Sequence, residues 1–108
     1  MADIREFHAH VYFDSDTLAQ ARDLCERARD LFGVEMGRVH EKNVGPHPCW
    51  SCQLRVMPAQ FGQVIPWLAL NRQWLTVFVH PDTGDALADH TAHTMWMGQS
   101  FALDLSVF

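Results

Sequence analysis

The amino-acid sequence predicts an α+β domain of ferredoxin-like build, a four-stranded antiparallel sheet with two helices on one face. Three observations predict it. Residues 5–13, 50–57 and 74–80 alternate apolar and polar side chains with the period of two expected of half-buried strands. Residues 15–32 repeat apolar side chains at three- and four-residue steps, the period of a helix that buries one stripe. The patterns occur in the order β-α-β-β-α-β and leave a C-terminal tail over residues 85–108. That order predicts strand order 4-1-3-2 in a single domain spanning residues 1–108.

Each element has its own reasons. In the first strand Phe7, Ala9, Val11 and Phe13 form one face, and His8, His10 and Tyr12 form the other. Asp14, Ser15 and Asp16 then offer helix-capping groups, and Gly33 ends the helix. Residues 35–43 read as a second, more polar strand. Gly45-Pro46-His47-Pro48 cannot extend it, because proline lacks an N–H and fixes its own φ. In the third strand Cys52, Leu54 and Val56 face the core, opposite Ser51, Gln53 and Arg55. Pro58 suits a helix start, Phe61, Val64, Ile65 and Leu68 supply the stripe, and Pro66 predicts a kink or restart. In the fourth strand Leu75, Val77 and Val79 alternate with Trp74, Thr76, Phe78 and His80, before a turn at Pro81-Asp82-Thr83-Gly84. The tail is expected either to lie over the free face of the sheet or to pair with a second subunit.

Composition narrows the function. Of 108 residues 48% are hydrophobic and 19% charged, which suits one folded core. A formal net charge of -5 argues against nucleic acid or an anionic membrane as partner. There is no apolar run of transmembrane length and no secretion signal at the N-terminus, so the protein is expected to be cytoplasmic. So small a domain is also expected to form a homodimer. Cys25, Cys49 and Cys52 make an odd set without a secretory context, which argues against a disulfide framework. Cys49-Trp50-Ser51-Cys52 runs into a strand rather than opening a helix, so it reads as structural.

Seven histidines are the chemical signal. His8 and His10 share one strand face, and the antiparallel fourth strand returns His80 to the same end of that face. Three imidazoles therefore converge, and neutral imidazole ligates zinc, iron, copper and nickel. Tyr12, Arg55, Phe78 and Trp74 belong to the same face, and a cation beside aromatic rings suits an aromatic acid as ligand. The competing reading makes these histidines polar residues of a solvated or dimer-buried face. Pro46 and Pro48 hold His47 in a stiff loop, as a catalytic acid–base group requires. His90 and His93 are spaced as a helical pair. Glu6, Asp85 and Asp89 are the carboxylates that could join the imidazoles.

The same segments resemble the DOPA 4,5-dioxygenase family. His8-Ala9-His10-Val11-Tyr12-Phe13-Asp14 is similar to its opening signature, and Val44-Gly45-Pro46-His47-Pro48 with Trp50 to its second block. Residues Pro66 to Arg72 are similar to a third. Val79 to Asp85, Asp89-His90-Thr91 and Trp96-Met97-Gly98 are similar to the last. The resemblance implies a ferredoxin-like fold, a dimer, and extradiol cleavage of the ring of L-DOPA or a related catechol by O2 at a mononuclear iron(II). Zinc or another divalent metal could occupy the same ligands in purified protein. Carried onto this chain, it makes His8, His10 and His80 the candidate metal ligands and His47 and His90 the candidate catalytic residues. Tyr12, Arg55, Arg72 and Trp74 become the candidate substrate-binding residues, with Arg55 or Arg72 on a substrate carboxylate. A three-histidine set departs from the two-histidine, one-glutamate set common in extradiol enzymes of other folds.

Two other readings stay open on the sequence. One is a non-catalytic dimeric module that binds a small aromatic ligand or a metal on its histidine-lined face. The other is a metal-handling protein that uses the histidines for zinc or copper. Oxygen uptake with a catechol separates both from the enzyme.

Overall fold

The structure, a computed structural model, describes residues 3–108. Its elements are β1 (Glu6–Phe13), α1 (Leu18–Phe32), β2 (Glu35–His40), β3 (Trp50–Val56), α2 (Phe61–Asn71), β4 (Val77–Asp82), α3 (Ala86–Asp89) and β5 (Met95–Met97). The sheet is antiparallel throughout in the order β2-β3-β1-β4-β5. The ferredoxin-like order 4-1-3-2 is therefore present, and the tail adds a fifth strand at the outer edge of β4. No helix among the described residues is long and apolar enough to cross a membrane.

One sheet face is sealed by the helices. Ala9 and Val11 of β1, Cys52, Leu54 and Val56 of β3, and Val77 and Val79 of β4 pack against Ala21, Leu24, Cys25 and Ala28 of α1 and Val64 and Leu68 of α2. These are the residues that alternation assigns to the core. The alanines at Ala21 and Ala28 let α1 lie close to the sheet. Truncating a buried leucine in such a layer costs about 2–5 kcal/mol.

Before α1, the Asp14 carboxylate accepts the N–H groups of Asp16 and Thr17 and the Thr17 hydroxyl, so regular helix starts only at Leu18. Gly33 closes α1 in the left-handed conformation, φ 70°, and donates to the Arg29 carbonyl.

Two expectations need correction. Of the kink or restart expected at Pro66, the restart does not occur: α2 runs without interruption from Phe61 to Asn71. Pro66 and Gly62 both lie on the exposed side, where the carbonyl that loses its donor meets water. The fourth strand starts at Val77, not Trp74. Gln73 and Trp74 take left-handed φ values of 46° and 70°, and Leu75 N–H closes a turn on the Arg72 carbonyl.

Beyond β5 the tail turns back across the free face. Phe101 meets the rings of Tyr12 and Trp96, and Asp104 N–H donates to the Pro46 carbonyl. Phe108 ends against His90.

Candidate active site

The free face of the sheet is closed, not solvated. Strand register sets His8 of β1 directly opposite His80 of β4, and His10 opposite Phe78. The Phe78 ring stacks on Trp96 of β5 at 4.4 Å and packs against the His10 and His80 rings. His10 is 4% exposed and His80 3%. Above them lies a cavity of about 440 Å³ lined by residues that include His8, His10, His47, His80, His90 and Arg5.

His8, His10 and His80 each offer one ring nitrogen, and the three nitrogens lie within 4.8 Å of one another. His10 Nε2 and His80 Nε2 are 3.0 Å apart. Two imidazole nitrogens about 2.1 Å from one ion and at right angles would be separated by about that distance. His80 Nδ1 donates to the Pro81 carbonyl at 2.8 Å, which fixes the tautomer and leaves an Nε2 lone pair for a metal. Burial, reinforced by the neighbouring imidazoles, keeps His10 well below the ordinary histidine pKa. Burial also takes His80 to about 4, although its bond to Pro81 pulls the other way. Neutral, converging imidazoles are the donor set that iron(II) or zinc accepts.

Glu6 makes a second layer. Its Oε2 accepts from His8 Nε2 at 2.7 Å, and Arg55 grips both of its oxygens at 2.7 Å. The Arg55 bond, aided by His8, lowers the Glu6 pKa to about 2. Glu6, His8 and Asp82 form a second group with potential ligand atoms within 4.8 Å of one another.

His47 packs on His10 and His90 on His80, each with ring centroids 4.1 Å apart. The β2–β3 loop carries His47, where His47 N–H donates to the Val44 carbonyl across Gly45, φ 54°. Tyr12 OH and His47 Nδ1 are 2.8 Å apart. The phenol is buried with that partner alone, so it donates, and the His47 proton resides on Nε2. Burial raises the Tyr12 pKa beyond the ordinary phenol range and lowers that of His47 to about 4. His90, just after α3, has the opposite tautomer. Its Nδ1 donates to the Ala86 carbonyl at 2.7 Å, which leaves the Nε2 lone pair. His47 thus presents an N–H and His90 a ring nitrogen that can accept.

The expected substrate-binding residues fare differently. Tyr12 supports His47 and does not line the cavity. Arg55 shares the free face but is held by Glu6 and Glu35, outside the cavity. Arg72 follows α2 and donates to the Leu75 carbonyl, remote from the histidines. Trp74 is 92% exposed on the turn before β4 and lines a different groove. Arg55, Arg72 and Trp74 therefore lie outside the cavity that the histidines line. His93 pairs with buried Asp89 at 3.0 Å and does not share a site with His90. Cys25 and Cys52 face the core as free thiols, in keeping with a structural role for Cys49-Trp50-Ser51-Cys52.

Residues that sequence reasoning passed over also line the cavity. Gln53 faces His10 across β1 and β3, a position that alternation allows. Arg5 lies one residue before β1, where alternation no longer applies.

An antiparallel ferredoxin-like sheet whose helix-free face gathers three imidazoles is a framework able to hold a metal ion. Comparison with known proteins gives the family. Residues 7–107 match the Dopa 4,5-dioxygenase family, and the chain belongs to it. It is 34% identical to a DOPA 4,5-dioxygenase of Amanita muscaria, across 97% of this chain and 50% of that protein. An uncharacterised 21.2 kDa protein of Botryotinia fuckeliana is 38% identical, across 94% of this chain and 62% of the relative. The chain therefore spans only about half to three-fifths of the length of these curated relatives. A crystal structure of a "putative dioxygenase" from Nostoc punctiforme superimposes with a TM-score of 0.84 at 44% identity. That alignment covers 96% of this chain and 90% of the other.

Proposed function

We propose that the protein is a non-haem iron(II) dioxygenase that opens the ring of L-DOPA or a related catechol by the extradiol route. The observation that carries this reading is the convergence of His8, His10 and His80 beneath a cavity large enough for a single-ring substrate. The name of the Amanita muscaria relative supplies the substrate class.

Iron bound there would supply the electronic link between catechol and O2, both of whose oxygens enter the product without an external reductant. The chain's own residues do the rest. His90 Nε2, an acceptor, is suited to take a catechol proton. His47 Nε2–H, held by Tyr12, is suited to donate to an oxygen of the reacting pair. Pro46, Ala86 and Phe108 are the apolar residues of the cavity wall and would keep water from the ring. Glu6 orients His8, and Pro81 orients His80.

The test is oxygen uptake. Protein prepared under nitrogen and loaded with one equivalent of iron(II) should consume O2 on addition of L-DOPA or a simpler catechol and form a yellow ring-opened product. Tight metal or catechol binding with no O2 consumption would favour a binding module instead.

A further inference from the structure

Among the described residues, Arg5 is the cation of the cavity that no carboxylate engages. Its backbone N–H donates to the Asp82 carbonyl, which fixes the chain just before β1. Its guanidinium lies over Gly84: a Cβ built there would come within 2.5 Å of Arg5 Nη2. Gly84 has φ +91°, so glycine serves both the turn and the room for the arginine head. Among the described residues that head pairs with no carboxylate. Of the acids that line the cavity, Asp89 is engaged by other groups and Asp82 in part. Both Asp89 oxygens accept from Thr83, and Oδ1 also pairs with His93. Asp82 Oδ1 accepts the Gly84 N–H. Arg55, which sequence alternation favours for a substrate carboxylate, is already clamped by two glutamates.

We propose that Arg5 is the specificity residue of this cavity. It would bind the side-chain carboxylate of an acidic catechol while the ring oxygens point at His8, His10 and His80. An exposed guanidinium at the edge of the imidazole-lined cavity offers an anion a charge-assisted, two-pronged contact. A neutral catechol of the same size gains nothing from it. The proposal rests on the ring-cleavage reading only for the orientation of the ring. Its claim about Arg5 is tested by binding alone.

The probes are 3-(3,4-dihydroxyphenyl)propionate and 4-ethylcatechol, titrated calorimetrically under nitrogen into iron-loaded and metal-free protein. The parent should bind the acid about ten- to a hundredfold more tightly, the range of a charged hydrogen-bonded contact. Arg5→Gln should bring the ratio close to one, and Arg5→Lys should keep part of it. Gly84→Ala should also lower the ratio by displacing the arginine head. Arg5 is exposed, so its substitution leaves the fold in place. A parent without preference for the acid, or an Arg5→Gln protein that keeps it, overturns the assignment. Failure of O2 uptake with the preference intact would remove the enzyme reading and leave Arg5 as the anion-binding residue.

Discussion

The two faces of the sheet are built from the same strands and hold opposite chemistry. On the helix side Ala9, Val11, Val77 and Val79 interlock with α1 and α2 in an apolar layer. On the other side His8, His10, Phe78 and His80, their immediate neighbours in sequence, meet one another and the returning tail. A one-residue shift along β1 or β4 therefore exchanges dry packing for titratable chemistry. The apolar face supplies rigidity without any group that binds a ligand. The histidine face is nearly as buried, yet its polar atoms are satisfied by one another and by backbone carbonyls. Neutral histidines are tolerated there because burial suppresses their charge, and that same suppression prepares them as ligands.

Substitutions on the two faces should separate function from stability. The largest functional effect is expected at the ligand set. His10→Ala or His80→Ala should lower iron affinity and turnover by more than about a hundredfold, since supporting residues alone cost about ten- to a hundredfold. On the other face Leu54→Ala should destabilise the fold by about 2–5 kcal/mol in a urea melt while the iron stoichiometry of the folded protein is kept. Loss of iron binding by folded Leu54→Ala protein would show that the two faces are not independent.

Between pH 6.5 and 4 acid should act chiefly through the histidine face. Buried His47 and His80 have pKa values of about 4, below the ordinary value of 6.5. Between these limits the unfolded chain binds more protons than the native one. The stability of metal-free protein should thus be greatest above pH 6.5 and fall as the pH drops toward 4. The His47 share is on the order of 3 kcal/mol. His47→Gln should flatten the decline, and an unchanged pH profile in that variant would contradict a buried neutral imidazole.

Smaller effects fall at the edges of the site. Tyr12→Phe removes the donor to His47 and should lower kcat about tenfold with KM nearly constant. A change confined to KM would point to direct substrate contact instead. Trp74→Ala should shift stability by less than about 0.5 kcal/mol and leave catechol binding as it was, because the side chain is exposed and outside the cavity.

Much of this arrangement was legible in the sequence for a simple reason: period-two alternation is geometric. It assigned the helix-packed residues, the shared face of His8, His10 and His80, and the strand order. It failed where the backbone leaves the strand. The apolar–polar pattern continues through Trp74-Leu75-Thr76, but left-handed φ at Gln73 and Trp74 turns the chain before pairing starts at Val77. Arg55 was set on the correct face, yet its engagement by Glu6 and Glu35 depends on neighbours across three strands. Arg5 was missed because its reach to Gly84 follows from a turn more than 70 residues away, not from its own segment. The fifth strand, Met95-Trp96-Met97, is too short for a periodic signal.

The proposed chemistry requires one metal ion held by the imidazoles of His8, His10 and His80. Metal analysis of the iron-loaded parent and of His80→Ala, after removal of loosely bound ion and with folding checked by circular dichroism, tests it most directly. The account predicts one iron per chain in the parent and almost none in the variant. Equal iron in the two folded proteins would contradict it.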